Sequence, residues 1–486
     1  MFQKFKENSL LTLELISQRS SIETNTNKKV FGVIITPWLY TNVPFYSLLL
    51  GKILGDKGHE IVYIFDDFDF FGDEEQNKIL YEVYEGISSS YQKILLSEFL
   101  NENVIDSDCE KYIELNERLI NRKYSDTEYG YAKVYFKKSS NAYFNVLKDR
   151  FLDKIIIPGG IYKNTCLLRN VCEHLKIEYV TYDSGQGEML LGKNSVAAHR
   201  NNVEIAYNRF EDMEKTGFSS EKIIEISKKE INARKKGEDY FAYLKGYIAN
   251  FQENKQKIVL LPLNIFNDAA AVDIECCFLN VKEWLITTID FLLKNTDYKI
   301  IIRDHPGSMG SYNNNKLIQD LYIQFQDALL KKDLEIIDSK NKINTYDLLE
   351  MVDLVLPYSS TVGIEAAIFG KKVVVCTDVY YKNNNFVKVA LDREHYFQSI
   401  LNSLDSNKNM ERIQINALKY YYFSQVLGFL KTEFTPQPID FKANIDNLNK
   451  IIEETNVKIL IEAIENSDSI EWLLFKYELE GGGLQL

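Results

Sequence analysis

The chain first turns apolar in VFGVIITP, residues 30–37, a run closed by Pro37. A helical stretch follows from about Pro44 to Asp56, then Gly58-His59-Glu60 and a second apolar run, IVYIF over 61–65. Strand, helix and strand at this spacing predict a βαβ unit, and so a parallel sheet covered on both faces. Residues 74–150 are charged and mostly helical in pattern, with amphipathic segments around 79–101 and 108–122. That is longer than a crossover needs and predicts a helical insertion. The sheet pattern returns in KIIIPGG (154–160), continues through a helix to about Leu175, and ends in IEYVTYD (177–183).

From about Ser219 to Asn254 the chain is polar, lysine-rich and helical in pattern, as an inter-domain connection would be. KIVLLPL (257–263) opens a second series: a helix around 280–294, YKIIIR (298–303), a helix around 315–331, LEIID (334–338), VDLVLPY (352–358), a helix to Phe369, and KKVVVCT (371–377). Helices are expected from about 390 to 477. Two successive α/β halves predict two Rossmann-like domains facing across a cleft. The expected boundaries are 1–240, with the helical insertion near 74–150; 255–440; and a helical tail over 441–486 packing back on the first domain. No internal repeat at solenoid period is present.

Composition narrows the class. At 486 residues the chain exceeds one ordinary core. A net charge of −13, with no basic stripe, speaks against a nucleic-acid partner and against tight docking on anionic lipid. The opening MFQKFKENSLLTLELISQ lacks the apolar core of a secretory signal, and no stretch of about 18 apolar residues is long enough to span a membrane. The expected location is the cytoplasm, with peripheral association at the inner face of the plasma membrane left open. None of the six Cys forms a C-x-x-C pair and no His pair has zinc-ligand spacing, so neither a metal nor a cofactor is assigned. The D-x-D match Asp67-Phe68-Asp69 would suit a divalent cation, but the pattern is weak in an acidic chain. Asn runs such as Asn313-Asn314-Asn315 read as compositional drift.

Two elements of the second half carry chemistry. In the stretch Asp353–Cys376, a buried strand runs into Ser359, Ser360 and Thr361, where a helix begins. Hydroxyl side chains there cap free N–H groups, and the same N–H groups attract phosphate. Gly363 would admit a ligand or a neighbouring backbone, and Glu365, on the helix face of Thr361, would accept from ribose hydroxyls. The plain alternative is an ordinary capped helix. The second element, Arg303-Asp304-His305-Pro306-Gly307, ends another strand, which is where open parallel sheets bind ligands. Arg303 and His305 there would meet a phosphate; the plain alternative is a turn with a solvated His. Asn264, Asn267 and Asp268 stand just past the first strand of the same half and would contact donor or acceptor hydroxyls, or serve as turn and cap residues.

R-x-H-P (303–306), followed by S-S-T-x-G-x-E-A (359–366) and G-K-x-V-V (370–374), resembles the nucleotide-binding domain of bacterial capsule and lipopolysaccharide glycosyltransferases. It is similar to the HP and SS/ST motifs of bacterial sialyltransferases, polysialyltransferases and Kdo transferases, over roughly 257–378. The resemblance implies a GT-B fold. It implies transfer of a sugar, a CMP-linked acidic sugar by preference, from a nucleotide sugar to a growing surface glycan, free or lipid-linked. It also implies that His305, Ser359 and Ser360 hold the donor phosphate, while Arg303, Thr361 and Glu365 follow from position alone. An inverting, metal-independent reaction needs a base on the acceptor side. TYDSGQGEML (181–190) offers Asp183, at a strand end, or Glu188, in the same Gly-rich loop. Trp38, Tyr40 and Asn42 after the first strand would stack on and hydrogen-bond an acceptor sugar, or pack the loop. Three other readings use related elements or none: a nucleotide-sugar 2-epimerase, a glycerol-phosphate transferase of the teichoic-acid type, and a non-enzymatic glycan- or nucleotide-binding protein.

Overall fold

The structure, a computed structural model, describes the chain apart from residues 1, 18–25, 69, 71–72, 101–108, 121, 186, 237, 239–255, 309–312, 342, 406–409, 433–451 and 482–486. Two compact units emerge. One comprises Met1–Glu117, Arg122–Ile205 and Leu427–Leu486; the other comprises Arg118–Asn121 and Ala206–Val426.

The first unit opens with helix α1 (Phe2–Ser17), strand β1 (Val30–Ile35), α2 (Val43–Asp56) and β2 (Glu60–Phe65). It continues with α3 (Glu74–Gly86), β3 (Gln92–Leu95), α4 (Cys109–Leu119), α5 (Asp126–Leu147) and β4 (Lys154–Pro158). Then come α6 (Lys163–Leu175), β5 (Tyr179–Gly185) and β6 (Glu188–Lys193), and a last strand, β13 (Leu430–Lys431), returns from the far end of the chain. The sheet order is β13-β6-β5-β4-β1-β2-β3. The five strands β3-β2-β1-β4-β5 run parallel, and β1, β2 and β4 are buried nearly throughout, which is why they read as unbroken apolar runs.

Two expectations change here. The segment 74–150 is not helical throughout: α3 is the crossover to β3, a four-residue edge strand, and the extra helices are α4 and α5. The expected Gly-rich loop around 184–188 is instead the tip of an antiparallel hairpin. Asp183 pairs with Leu190 and Gly185 with Glu188, and Gly187 turns the chain at φ 81°.

The second unit contains β7 (Ile258–Pro262), α9 (Val281–Asn295), β8 (Lys299–Arg303), α10 (Asn315–Gln324), α11 (Gln326–Lys331) and β9 (Leu334–Ile337). It continues with α12 (Thr345–Met351), β10 (Leu354–Val355), α13 (Val362–Ile368), β11 (Lys372–Val375), β12 (Lys388–Val389), α14 (Arg393–Asp405) and α15 (Met410–Tyr421). Its sheet is wholly parallel, in the order β12-β11-β10-β7-β8-β9. Trp284, Leu285 and Ile289 of α9 lie against Ile300, Ile302, Leu354 and Val374 in the core on this sheet.

The division between units falls at Ile205, earlier than residue 240. Aromatic packing accounts for it. On α7 (Asn202–Lys215), Tyr207 lies edge-on to Tyr420 at 5.0 Å and Phe210 packs on Phe423 at 5.2 Å, while Arg234 of α8 (Glu221–Lys236) faces Glu365 at 3.6 Å. Of the stretch expected to connect the domains, 219–254, the first half holds α8, and residues 237 and 239–254 lie outside the described residues. The last two helices, α16 (Thr455–Asn466) and α17 (Ile470–Leu479), belong to the first unit. Lys154 Nζ donates to the Ile464 carbonyl at 2.5 Å, Lys29 Nζ to that of Glu465, and His59 Nε2 pairs with the Glu465 carboxylate at 2.8 Å. Cations at the carbonyl end of α16 satisfy its last turn and oppose its dipole.

Candidate functional site

In the second sheet the chain lays β7, β8 and β9 to one side and β10, β11 and β12 to the other. The order reverses between β7 and β10, and a crevice at the carboxyl ends of the strands belongs there. Asn264 follows β7, Asp304 and His305 follow β8, and Tyr358, Ser359 and Ser360 follow β10. The two sequence elements therefore stand on the strands that flank β7, with Asn264 between them.

Hydrogen bonds knit these ends together. The Ser359 N–H donates to Asn264 Oδ1 at 3.3 Å. The amide of Asn314, just before α10, donates to the Asn264 carbonyl at 2.9 Å and to Asp304 Oδ1 at 2.7 Å, and its own Oδ1 accepts from the Phe266 N–H at 2.7 Å. Asp304 Oδ1 also accepts from the His305 N–H at 2.8 Å. His305 Nδ1 accepts from the Gly307 N–H at 3.0 Å, so the neutral ring carries its proton on Nε2. Burial holds the His305 pKa below its ordinary value; the carboxylates of Asp268 and Asp304 pull it up and Arg303 pushes it down. The Ser359 side chain is 6% exposed, and its hydroxyl has no partner among the described residues. Ser360 Oγ accepts from the Val362 N–H at 3.3 Å. A hydroxyl and a ring N–H at the strand ends of a switch point are neutral donors suited to an anion.

Other predicted residues have different employment. Arg303 is buried, and its guanidinium donates to the carbonyls of Asp338 (2.6 Å), Asn341 (3.1 Å) and Ile343 (3.2 Å); it braces the loop after β9, with Nε left without a partner among the described residues. Glu365 is buried and accepts from the Tyr346 hydroxyl at 2.8 Å beside Arg234. The side chain of Thr361 does not cap α13, which has only seven residues. Gly363 is small for packing: a methyl there would overlap the Tyr381 phenol. Asp268, exposed, caps the Ala270 N–H at 3.0 Å, and Asn267 donates to the Leu119 carbonyl at 3.3 Å. Pro306 is half-buried in the turn closed by the Ser308 N–H on the His305 carbonyl at 2.9 Å. Sequence reading passed over Asn314 because it sits in a run of three asparagines; its one local signal is a place just before a helix.

The first unit has its own order reversal, between β1 and β4. There Trp38, half-buried, lies over Gly159, whose φ of 66° and close ring leave no space for a side chain: a methyl would meet the indole at 2.9 Å. Tyr40 packs edge-on against Phe2 and Phe5 of α1, at 6.4 and 6.0 Å. Asn42 is buried and accepts from Asn8 Nδ2 at 2.9 Å. Tyr40 and Asn42 thus fasten the loop to α1, and Trp38 packs on Gly159.

Asp183 is exposed and accepts the Ser184 N–H at 2.9 Å, and Glu188 is half-buried. Their pairing register puts both carboxylates on one face of the hairpin as diagonal neighbours, about 7–8 Å apart at the backbone. Deeper in the unit, Asp66 Oδ2 accepts from Asn164 Nδ2 at 2.7 Å, Thr36 Oγ1 at 3.2 Å and the Tyr143 hydroxyl at 3.4 Å; burial pushes its pKa up to about 7. Lys163 Nζ grips Asp73 at 2.6 and 2.8 Å. Of the D-x-D match, Asp67 accepts from the Ser97 N–H at 2.9 Å, and Asp69 lies outside the described residues. Among the described residues no group of three His, Cys, Asp or Glu could hold a metal ion, and no helix is long and apolar enough to cross a membrane.

Residues 219–386 match the capsule polysaccharide biosynthesis protein family. The match runs through all three central strand ends of the second unit, where the R-x-H-P and S-S-T elements stand, and bears out the resemblance those elements carry. No curated protein matches the chain. Among solved structures, the chain is similar to a β-Kdo 2,4-transferase, KpsC of Thermosulfurimonas dismutans, at 12% identity, with 65% of this chain and 88% of that chain covered and a TM-score of 0.36. It is similar to a glycosyltransferase from Rickettsia africae ESF-5 at 11% identity, covering 88% and 100%, with a TM-score of 0.32. It is also similar to the UDP-GlcNAc 2-epimerase of Methanocaldococcus jannaschii at 14% identity, covering 82% and 99%, with a TM-score of 0.29. At these scores no residue role or activity transfers from them to this chain.

Proposed function

We propose that the chain is a glycosyltransferase of GT-B type whose second unit holds a nucleotide sugar by its phosphate and whose first unit takes the acceptor glycan. The observation that carries this is the buried, unpartnered hydroxyl of Ser359 at the order reversal of a unit matched by the capsule polysaccharide biosynthesis family, with His305 on the strand beyond. A CMP-linked acidic sugar is the favoured donor: the resemblance of the two elements implies it, and the charge at the phosphate site fits its single phosphate. With Arg303 engaged by carbonyls, Ser359, Ser360 and His305 offer uncharged donors, and Asp268 and Asp304 add negative charge near His305. One phosphodiester charge is easier to hold there than the two of a diphosphate.

In the proposed reaction Asp183 or Glu188 removes the proton from the acceptor hydroxyl. The new bond to the anomeric carbon forms as the bond to the phosphate oxygen breaks, with inversion and without a metal ion. His305 Nε2–H and Ser359 Oγ–H hydrogen-bond the oxygens of the departing phosphate, where charge develops. A lipid-linked acceptor would bring the chain to the inner face of the membrane.

The test is a titration of the purified chain with CMP, CDP, UDP and GDP by calorimetry, followed by turnover of nucleotide sugars with and without acceptor glycans. Preferential CMP binding and acceptor-dependent release of CMP are expected. No binding of any nucleotide sinks the reading. Conversion of a nucleotide sugar without acceptor would make the chain an epimerase, and release of CMP from CDP-glycerol a glycerol-phosphate transferase. Binding with no turnover across a broad panel would leave a nucleotide-binding protein.

A further inference from the structure

We infer that Asn314 is the positioning residue of this site: a single buried amide holds the loop of His305 in register with the loop of Asn264 and Ser359. The inference rests on the nucleotide reading above for its consequence, though not for its geometry.

Asn314 is 1% exposed, and every hydrogen of its side-chain amide is used. The Phe266 N–H can only donate, so it faces the amide oxygen; the Asn264 carbonyl can only accept, so it faces the NH₂. The amide orientation is thereby determined. From Asn314 the connection runs two ways. Through Asn264 it reaches the Ser359 N–H, and through Asp304 it reaches the His305 N–H. The Asn314 N–H also donates to Ser308 Oγ at 2.9 Å, closing the turn that follows His305. Burial raises the pKa of Asp304, and the hydrogen bond from Asn314 is the largest influence opposing that rise. The amide therefore both ties the loops and favours the charged carboxylate that seats the His305 backbone. Asp has no N–H to donate, and Leu, of the same size, can neither donate nor accept.

Two variants and two readouts test this. In the ligand-free protein, the His305 imidazole is titrated by NMR, its signal assigned among five histidines with His305→Gln. The groups facing that ring are Asp268, Asp304 and Arg303. Asn314→Leu adds no charge but withdraws the bond that favours the charged Asp304 carboxylate, and that carboxylate pulls the His305 pKa up, so the His305 pKa should fall further below its ordinary value. By calorimetry, Asn314→Leu should bind CMP about tenfold or more weakly at every pH, as loss of buried hydrogen bonds implies. Asn314→Asp places two carboxylates together, which share a proton when acidified. Its affinity, taken as a ratio to wild type, should be as poor as that of the Leu variant at pH 8 and recover severalfold by pH 5.5. Should Asn314→Asp fold poorly, the exchanged pair Asp304→Asn with Asn314→Asp restores one amide–carboxylate bond and should regain part of the affinity.

An unchanged His305 titration in Asn314→Leu together with wild-type CMP affinity overturns the inference. A purely structural role predicts equal losses for Asp and Leu with no recovery in acid, and that result overturns it as well. If wild type binds no nucleotide while the His305 titration still moves, the nucleotide reading has failed and the positioning role stands.

Discussion

Replacing Asp66 with Asn should make the first unit less sensitive to alkali. Asp66 is 3% exposed and receives three side-chain donors on Oδ2, yet among the described residues no cation pairs with it; Lys163 nearby is committed to Asp73. Burial, the largest cause, raises its pKa to about 7, with Asp67 and Asp73 adding to the rise and Asn164 opposing it. The unfolded chain returns it to roughly 3.9. A folded pKa above the unfolded one gives a contribution that is whole below about pH 4 and is lost as pH rises to 7. The slope is about 1.4 kcal/mol per pH unit, so the wild type should lose about 3 kcal/mol between pH 5 and 8 from this group alone. Asp66→Asn has no charge to bury. Its carbonyl can keep the donors from Asn164, Thr36 and Tyr143, and it loses only the long 3.4 Å bond from the Phe68 N–H, a loss of about 1 kcal/mol. The stability difference, variant minus wild type, should therefore climb by about 3 kcal/mol from pH 5 to pH 8. In melting temperature that is on the order of 6–12 °C. Urea and thermal melts at four pH values measure it, with Trp38 and Trp472 reporting the first unit. Curves that run parallel for the two proteins would refute the argument that Asp66 titrates alone in a buried site.

Three further outcomes follow from the second unit and the hairpin. Ser359→Ala should leave the melting temperature unchanged or slightly higher, because the hydroxyl it removes is buried without a partner, while CMP affinity falls about tenfold; a stability loss with intact affinity would make the hydroxyl structural. Arg303→Lys keeps the charge but cannot reach three carbonyls, so it should destabilise the second unit by about 2–3 kcal/mol in urea melts; a stable variant that only binds CMP less well would restore Arg303 as a phosphate ligand. Asp183→Ala and Glu188→Ala should each leave CMP affinity at the wild-type value, and turnover with an acceptor should collapse in only one of them; equal, undiminished turnover in both removes the hairpin from the reaction.

How far the sequence could be read depended on what each residue's partners were. The strands β1, β2, β4, β7 and β8 are buried on both faces, so each is a continuous apolar run that composition alone delimits. The strand β3 has four residues with one exposed end, and β13 has two residues, so neither has enough pattern to show. The hairpin strand β6 alternates, and its Gly-rich tip imitated a loop. At the site, strand ends were legible and partners were not. Arg303 and Glu365 lie where phosphate and ribose ligands would, but the loop carbonyls reach the first and Tyr346 with Arg234 the second. Asn314 was illegible for the same reason: its three side-chain partners lie 50, 48 and 10 residues away, and no local spacing encodes them.

The two order reversals support the proposed assignment of the nucleotide to the second unit. Both sheets reverse beside their first strand, and both put polar residues at the carboxyl ends there. In the first unit those groups bond mainly to one another: Asp66 takes Thr36, Tyr143 and Asn164, Asn164 also donates to the Tyr135 hydroxyl at 2.6 Å, and Lys163 closes on Asp73; the atom left without a partner among them is Asn164 Oδ1, an acceptor that offers an anion nothing. A phosphate entering there would displace bonds already made and meet two carboxylates. In the second unit the internal bonds are made by backbone N–H groups, Asn264, Asn314 and Asp304, which leaves the Ser359 hydroxyl unpartnered and the His305 proton on Nε2. An anion there gains bonds and breaks none that the structure shows. The same fold logic thus leaves an amide oxygen over in one unit and a hydroxyl with a ring N–H over in the other, and on the proposed reading only the second pair would receive a phosphate.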